Sequence, residues 1–474
     1  MRPLSRIRHW GLSTGLAAVL TLVAACGGAA VTPPSSGGAG TAAASTTAHP
    51  SAAATSSALA TAPAATATAT AAEPKHGTYG SGPVTQKSPA FTPLTGAQAH
   101  FGKLGNAVYQ VEIPTTWNHE LVLYAHGFAG FGSEVAVQQP PAALRAELIA
   151  EGFAWAASSY SENGYDPGIG ADDTLALEQY FDKTYGKPVH TYLVGASMGG
   201  NVVALSLEHF PSAYDGALSM CGALGGEEEI DYLTSWAALA EFTSGVHLPI
   251  GEQGGNMAAT LLGPVAAALG PVDTPTQRGK QFADLVQNLT GGPRPFFGEG
   301  FKDQYLVNFG LLIADSGRKL LASRAATNDG VQYHIDPGLG LTDAQVNAGV
   351  RRFAADPQAR NGQLHPDAVP TTGRITKPLL TLHGTGDLFV PISQEISYRR
   401  KVDAAGAGNL LVQRAIRSAG HCNFSDHEIT TAFNDLVNWV RKGTKPLGDN
   451  LLGSLNDIGK QFTDPIRPGD PGTK

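Results

Sequence analysis

From about residue 100 onward, short apolar runs alternate with stretches whose apolar positions recur every three to four residues. The runs NAVYQVEIP, ELVLYAHGF, FAWAASSY, VHTYLVGAS and DGALSMCG predict strands. Between them, PPAALRAELIAEG places Leu144, Leu148 and Ile149 at helical spacing. DDTLALEQYFDKTYG puts Leu177, Tyr180 and Phe181 on one helical face, behind an acidic start that suits the helix dipole. GNVVALSLEHF predicts a third helix. Late in the chain the alternation resumes: PLLTLHGTGD and LLVQRAIRSAGH predict strands, while ISQEISYRRKVDAAG and HEITTAFNDLVNWVRKG predict helices. Nearly unbroken apolar strands that alternate with helices predict an α/β class: a mostly parallel sheet covered on both faces, with right-handed crossovers.

The interval 223–377 breaks this rhythm. EEEIDYLTSWAALAEF, RGKQFADLVQNL and DAQVNAGVRRF carry helical spacing, and GPRPFFGEGF predicts a Pro/Gly loop with three phenylalanines. No strand alternation and no repeat is visible there, so 223–377 is expected to be a helical cap inserted between core parts 89–222 and 378–442. Residues 443–474, rich in Gly, Pro and Asp, predict an irregular tail.

The N-terminus has a different pattern. Arg2, Arg6 and Arg8 precede the apolar GLAAVLTLVAA and then Cys26, the arrangement of an export signal over 1–26. At about 15 residues the apolar run is short for a membrane span. Its end, LVAAC, resembles the lipobox of bacterial lipoproteins, with Val23 where leucine is usual. That resemblance implies acylation of Cys26 and a membrane contact through this lipid alone, on the extracytoplasmic side. Ordinary cleavage after Ala25 is the alternative. Residues 27–88 are almost entirely Ala, Thr, Ser, Pro and Gly, too poor in periodic apolar positions to offset chain entropy, and predict a disordered tether.

Composition narrows the function. A hydrophobic content of 42% is ample for a core. With 32 Lys+Arg against 40 Asp+Glu, a net charge of −8 and no basic run, a nucleic-acid partner is not expected. Of the three cysteines, Cys26 is the lipid candidate, and Cys221 and Cys422 remain. Export permits oxidation. The composition sets no oligomeric state.

The candidate chemistry begins at TYLVGASMGGNVVAL, where an apolar strand ends in Gly195-Ala196-Ser197-Met198-Gly199 and turns into a helix. Gly-x-Ser-x-Gly is not selective in a chain with 58 glycines, where chance yields about 0.4 matches. GLSTG, inside the leader, is such a match. Context discriminates. Asp387 ends a later strand in HGTGD, His421 ends the next in SAGH, and His126-Gly127-Phe128 follows an earlier strand in LYAHGF. Order and placement are those of a nucleophile, an orienting carboxylate, a base and an oxyanion loop.

GASMGG, HGTGD followed by Val390-Pro391, and AGHCNF together resemble the α/β-hydrolase family over about residues 100–442. The resemblance implies Ser197 as nucleophile, His421 as general base and acid, and Asp387 as the carboxylate. It implies the backbone N–H groups of Phe128 and Met198 as the oxyanion hole, with no cofactor. Phe128-Ala129 replaces the Gly-Gly of the hormone-sensitive-lipase branch. Asp215 precedes a strand, Asp403 falls within a helix and Asp426 follows the histidine, so each fits the acid position less well. His126 and His383 are expected to bond loop backbone. Asp166, Asp172 and Asp173 are read as a solvated helix start rather than a calcium site. Asn288 matches a glycosylation acceptor but is discounted in a bacterial lipoprotein. No cluster has zinc-ligand spacing, and no phosphate loop is present.

The implied reaction is acyl transfer to water, with a small-molecule or short acyl substrate. Carboxylic ester hydrolysis is the expected activity. The alternatives are an oligopeptidase-like peptidase, whose relatives usually carry an N-terminal propeller instead of a tether, and a catalytically silent surface binding protein. Phe296, Phe297 and Phe301 could equally wall an acyl pocket or fill the cap core. In the family's sheet order, Cys221 and Cys422 map to the same edge as Ser197 and can bridge; two separate buried thiols are the other reading. In tannase-like esterases a comparable bridge starts just before the serine, where this chain has Ala196.

Overall fold

A computed structural model describes residues 84–250, 255–315, 326–355, 357–360 and 370–465. The expectations for 1–26, including Cys26, and for most of 27–88 lie outside the described residues. Thr85–Gln86 pairs in parallel with Glu134–Val135, so the fold begins before residue 89.

Eight strands form one sheet: β1 (Ala97–Leu104), β2 (Ala107–Pro114), β3 (Glu120–Ala125), β4 (Ala154–Ser158), β5 (His190–Ala196), β6 (Gly216–Met220), β7 (Leu379–Gly384) and β8 (Leu411–Ile416). Their spatial order is β1-β2-β4-β3-β5-β6-β7-β8, and only β2 runs against the rest. This is the α/β-hydrolase fold. Every residue of β3, β4, β6, β7 and β8 is buried, which is why β3, β4 and β6 read as nearly continuous apolar runs, while buried Gln413 and Arg414 of β8 are hydrogen-bonded to Glu395 and Asp435. β1 was not expected from the sequence. It is the outer strand and half-exposed, and its AQAHFGKL mixes polar and apolar positions.

Two layers of helices cover the sheet. On one face, Leu144 and Leu148 of α1 (Ala142–Ala150) join Phe433 and Leu436 from the last helix of the core, Asp426–Lys442, over Val122, Tyr192 and Leu218. On the other, Leu177 and Phe181 of α2 (Pro167–Tyr185) and Val202 and Leu205 of α3 (Met198–His209) cover Leu121, Leu123 and Leu193. Burial of each such side chain contributes roughly 1.5–3 kcal/mol. α2 starts earlier than the acidic pattern suggests. Asp166, only 3% exposed, caps it by accepting from Ile169 N at 3.2 Å, and Asp173 accepts from Ser161 N at 2.6 Å. These two carboxylates are therefore anchored to backbone rather than solvated.

Between β6 and β7 lies a helical cap, built on α4 (Glu228–Ser244), α5 (Gln277–Leu289), α6 (Phe297–Asp315) and α7 (Asp343–Gly349). Trp236 of α4 is fully buried, with ring centroids 5.1 Å from Phe282, 5.9 Å from Phe301 and 6.1 Å from Phe309. The segment read as a Pro/Gly loop is in part helix: α6 starts at Phe297, because beyond the proline-rich turn the aromatic side chains find this cluster. Core helix α8 (Ser393–Ala404) follows β7, and Asp426–Lys442 is α9.

The residues after Lys442 form no helix or strand up to 465, yet they are attached to the fold. Leu451, Leu455 and Ile458 are buried against Ile392 and Ala415. Asp449 N donates to Gln413 O at 2.7 Å, and Asp449 Oδ2 accepts from Ala415 N at 2.9 Å. The tail thus takes up hydrogen-bonding groups of β8, an edge strand that would otherwise be open to pairing. Asp449→Ala leaves the buried Ala415 N–H without an acceptor. It is expected to lower unfolding free energy by about 1–3 kcal/mol, read from the urea midpoint at constant m-value.

Candidate active site

The turn after β5 sets the geometry. Ser197 has φ 59° and ψ −125°, a conformation that side chains other than hydrogen rarely adopt. Its N donates to Met220 O at 3.0 Å, and its carbonyl accepts from Gly200 N at 2.8 Å. The turn is pressed against its neighbours. A Cβ on Gly195 would lie 2.1 Å from Gly199 O, and one on Gly199 would lie 2.0 Å from Ala125 O, so only glycine fits at either place. Ser197 precedes the first residue of α3, but its hydroxyl makes no capping bond to the helix. That hydroxyl instead lies 2.8 Å from His421 Nε2.

His421 Nδ1 donates to Asp387 Oδ2 at 2.6 Å. Nε2 is then the free lone pair, placed to receive the serine proton. Asp387, fully buried, is held in turn: its Oδ1 accepts from Phe389 N at 3.0 Å and Val390 N at 3.1 Å. The structure therefore brings Ser197, His421 and Asp387 into one hydrogen-bonded chain. Asp215 instead accepts from Thr191 N at 3.0 Å, and Asp403 pairs with Arg399 at 2.7 Å.

The His126–Phe128 loop lies alongside. A Cβ on Gly127 would be 3.0 Å from Ser197 Cβ and 3.5 Å from its Oγ. His126 is buried; burial lowers its pKa, and its Nδ1 donates to Gly127 O at 2.7 Å. Its ring stacks on Tyr160 at 3.9 Å, and Tyr160 OH donates to His126 O at 3.0 Å. His126 thus shapes the loop. His383 is buried beside Glu395 at 3.4 Å, with Nε2 2.9 Å from Val390 O. Burial opposes its charge, but Glu395 and Asp387 outweigh that and raise its pKa. Met198 is the first residue of α3, where backbone N–H groups have no acceptor within the helix. Phe128, Met198 and Ser197 line one small cavity of about 30 Å³ with Ile230, Leu233 and Leu311. Phe297 and Phe301 line a separate cavity of about 180 Å³ inside the cap, so they are cap core rather than a wall beside Ser197.

Cys221 and Cys422 are joined as a disulfide with Cα atoms 5.2 Å apart. Both have positive φ, 47° and 53°. Cys221 N donates to Leu382 O at 2.7 Å, tying the bridge to the end of β7. The residue after the candidate base is thereby fixed to the sheet.

Sequence reading missed the residues that hold the acid loop. Gln304 of α6 is buried, and its Oε1 accepts from Leu388 N at 2.9 Å and Phe389 N at 2.7 Å. Its Nε2 donates to Gly386 O at 3.0 Å and Ala419 O at 2.7 Å. One amide thus ties the Asp387 loop to the His421 loop. Asn308, one turn on, donates to Leu388 O at 2.8 Å, and Tyr232 OH donates to the same carbonyl at 2.5 Å. The available signal was a pair of amides four residues apart in an otherwise largely apolar stretch. Arg294 donates to Thr385 O at 2.6 Å, and burial lowers its pKa to about 10.

No family model matches the chain, and no curated protein sequence matches it. Among solved structures, an esterase from Aspergillus oryzae is similar at 13% identity, covering 73% of this chain and 80% of that one, with a TM-score of 0.45. Feruloyl esterase B from Aspergillus oryzae is similar at 14% identity, over 72% and 78%, with a TM-score of 0.41. Pyrococcus horikoshii acylaminoacyl peptidase is similar at 11% identity, over 76% of this chain and 44% of that one, with a TM-score of 0.38. The order and direction of the eight strands, rather than these overlaps, carry the fold.

Gln304→Leu removes the hydrogen bonds to Leu388, Phe389, Gly386 and Ala419 at similar volume. It is expected to slow hydrolysis of a test ester about 10- to 100-fold, with far-UV circular dichroism unchanged. Digestion of the non-reduced protein is expected to release one linked peptide pair containing Cys221 and Cys422. Reductant should lower Tm, since closing a loop of 201 residues stabilises by up to about 5 kcal/mol.

Proposed function

We propose that the protein is a serine hydrolase that cleaves carboxylic esters through an acyl-enzyme. One observation carries the reading: Ser197, raised on a positive-φ turn, is bonded to His421, which is bonded to buried Asp387. Ser197 Oγ attacks the ester carbonyl while His421 Nε2 takes its proton. Asp387 holds the ring in the tautomer that leaves Nε2 open. The backbone N–H groups of Met198 and Phe128 receive the developing oxyanion, aided by the dipole of α3. His421 then returns the proton to the leaving alcohol. Water, deprotonated by the same nitrogen, releases the acid. A small, mostly apolar cavity beside Ser197 suits a short acyl group. The leader pattern and Cys26 support export and a lipid anchor on the extracytoplasmic side of a bacterial membrane.

A fluorophosphonate probe should label the protein, and Ser197→Ala should abolish labelling. The same variant should lose roughly 10⁴- to 10⁶-fold in kcat while melting like the parent. Near-parental hydrolysis by Ser197→Ala would overturn the assignment. Parallel assay of p-nitrophenyl esters and peptide p-nitroanilides separates esterase from peptidase, with turnover expected on the esters.

A further inference from the structure

Glu229 sits in the first turn of α4, where the cap begins. It is 3% exposed and lines the same cavity as Ser197 and Met198. Its buried Oε2 makes no hydrogen bond to any described residue. Buried Glu112, by contrast, is saturated: it accepts from Leu94 N, from Arg145 and from Trp155 Nε1. Glu112 is scaffold, whereas Glu229 is a buried carboxyl lining a cavity whose wall is otherwise mostly apolar, with Phe128, Ile230, Leu233, Leu311, Phe389 and Val390 beside Tyr165 and Ser197.

We propose that Glu229 is a specificity-determining residue that selects short acyl groups carrying a hydroxyl. The inference rests on the serine-hydrolase reading of the site. Burial, and then the charge of Asp387, push the Glu229 pKa well above the usual carboxylate range. Burial thus favours its neutral form, a carboxylic acid with one O–H to donate and one carbonyl to accept. An alcohol matches both. It accepts from the acid O–H and donates to the acid carbonyl, without bringing a charge into an apolar wall. A substrate carboxylate would face Asp387, and an ammonium would have to lose its hydration. An unsubstituted acyl chain would leave the acid unpaired, and it is this loss that lets such sites reject the analogue lacking the hydroxyl.

The test compares ethyl butyrate, ethyl 2-hydroxybutyrate, ethyl 3-hydroxybutyrate and ethyl 3-aminobutyrate. Hydrolysis by the full-length protein is followed in a pH-stat, with active serine titrated by fluorophosphonate. The readout is the ratio of kcat/KM for each ester to that for ethyl butyrate. This ratio does not depend on how much of a variant is folded, and intrinsic ester reactivity cancels between variants. For the parent, one hydroxy ester should exceed ethyl butyrate at least about tenfold. Glu229→Gln, which keeps a donor and an acceptor, should retain that preference. Glu229→Leu should reduce it about tenfold or more. A titratable serine with no hydroxyl preference overturns the inference, as does a Glu229→Leu ratio equal to the parent's or a preference for the amino ester. No titratable serine overturns the hydrolase reading itself, and this inference with it.

Discussion

The site depends on one steric constraint: the turn carrying Ser197 is packed so tightly between β3 and β6 that its glycines touch main-chain carbonyls. Gly199 abuts Ala125, the last residue of β3, and Ser197 N is bonded to Met220, the last residue of β6. Strand ends on both sides therefore define where the hydroxyl points. A backbone conformation that favours glycine persists at Ser197 because these contacts over-determine it. The same contacts place the His126–Phe128 loop beside the serine, since it leaves β3 at the point where Gly199 rests.

The acid and the base are positioned differently. The loops after β7 and β8 are held from above by the cap as much as from below by the sheet. The Gln304 amide has a single consistent orientation, with its oxygen toward two N–H groups and its nitrogen toward two carbonyls. Such a fully satisfied buried network rigidifies what it joins. The cap is thus a structural part of the Asp387–His421 arrangement as well as a wall of the cavity beside Ser197.

Much of this was legible in the chain, and the exceptions have physical causes. Core strands announced themselves because burial on both faces removes polar positions. β1, half-exposed at the edge, carried no such signal. Ser197, Asp387 and His421 were readable because a parallel sheet places its chemistry at successive strand ends, in a set order. Gln304 and Arg294 had no such landmark, because an inserted cap has no prescribed spacing to the motifs it braces. α6 was hidden by its Pro/Gly-rich approach. The acidic run at 227–229 shows the finer limit. Three identical residues meet different surroundings through helix rotation alone: Glu228 pairs with Lys401 at 2.9 Å, while Glu229 faces inward. Its phase was available, since Leu233 and Trp236 lie four and seven residues on and are buried.

The bond between Cys221 and Cys422 also changes the topology of the chain. Everything from the end of β6, through the cap, β7 and β8, to the candidate base belongs to one covalent ring. An insertion ordinarily hangs from a domain by two strands of backbone, and one cut turns it into two separable pieces. Here a single proteolytic cut in the cap opens the ring without dividing the molecule. The fragment bearing the serine and the fragment bearing the acid and histidine stay linked, beside the atoms they must align. That connectivity makes the arrangement of Ser197, Asp387 and His421 tolerant of a cut in the cap.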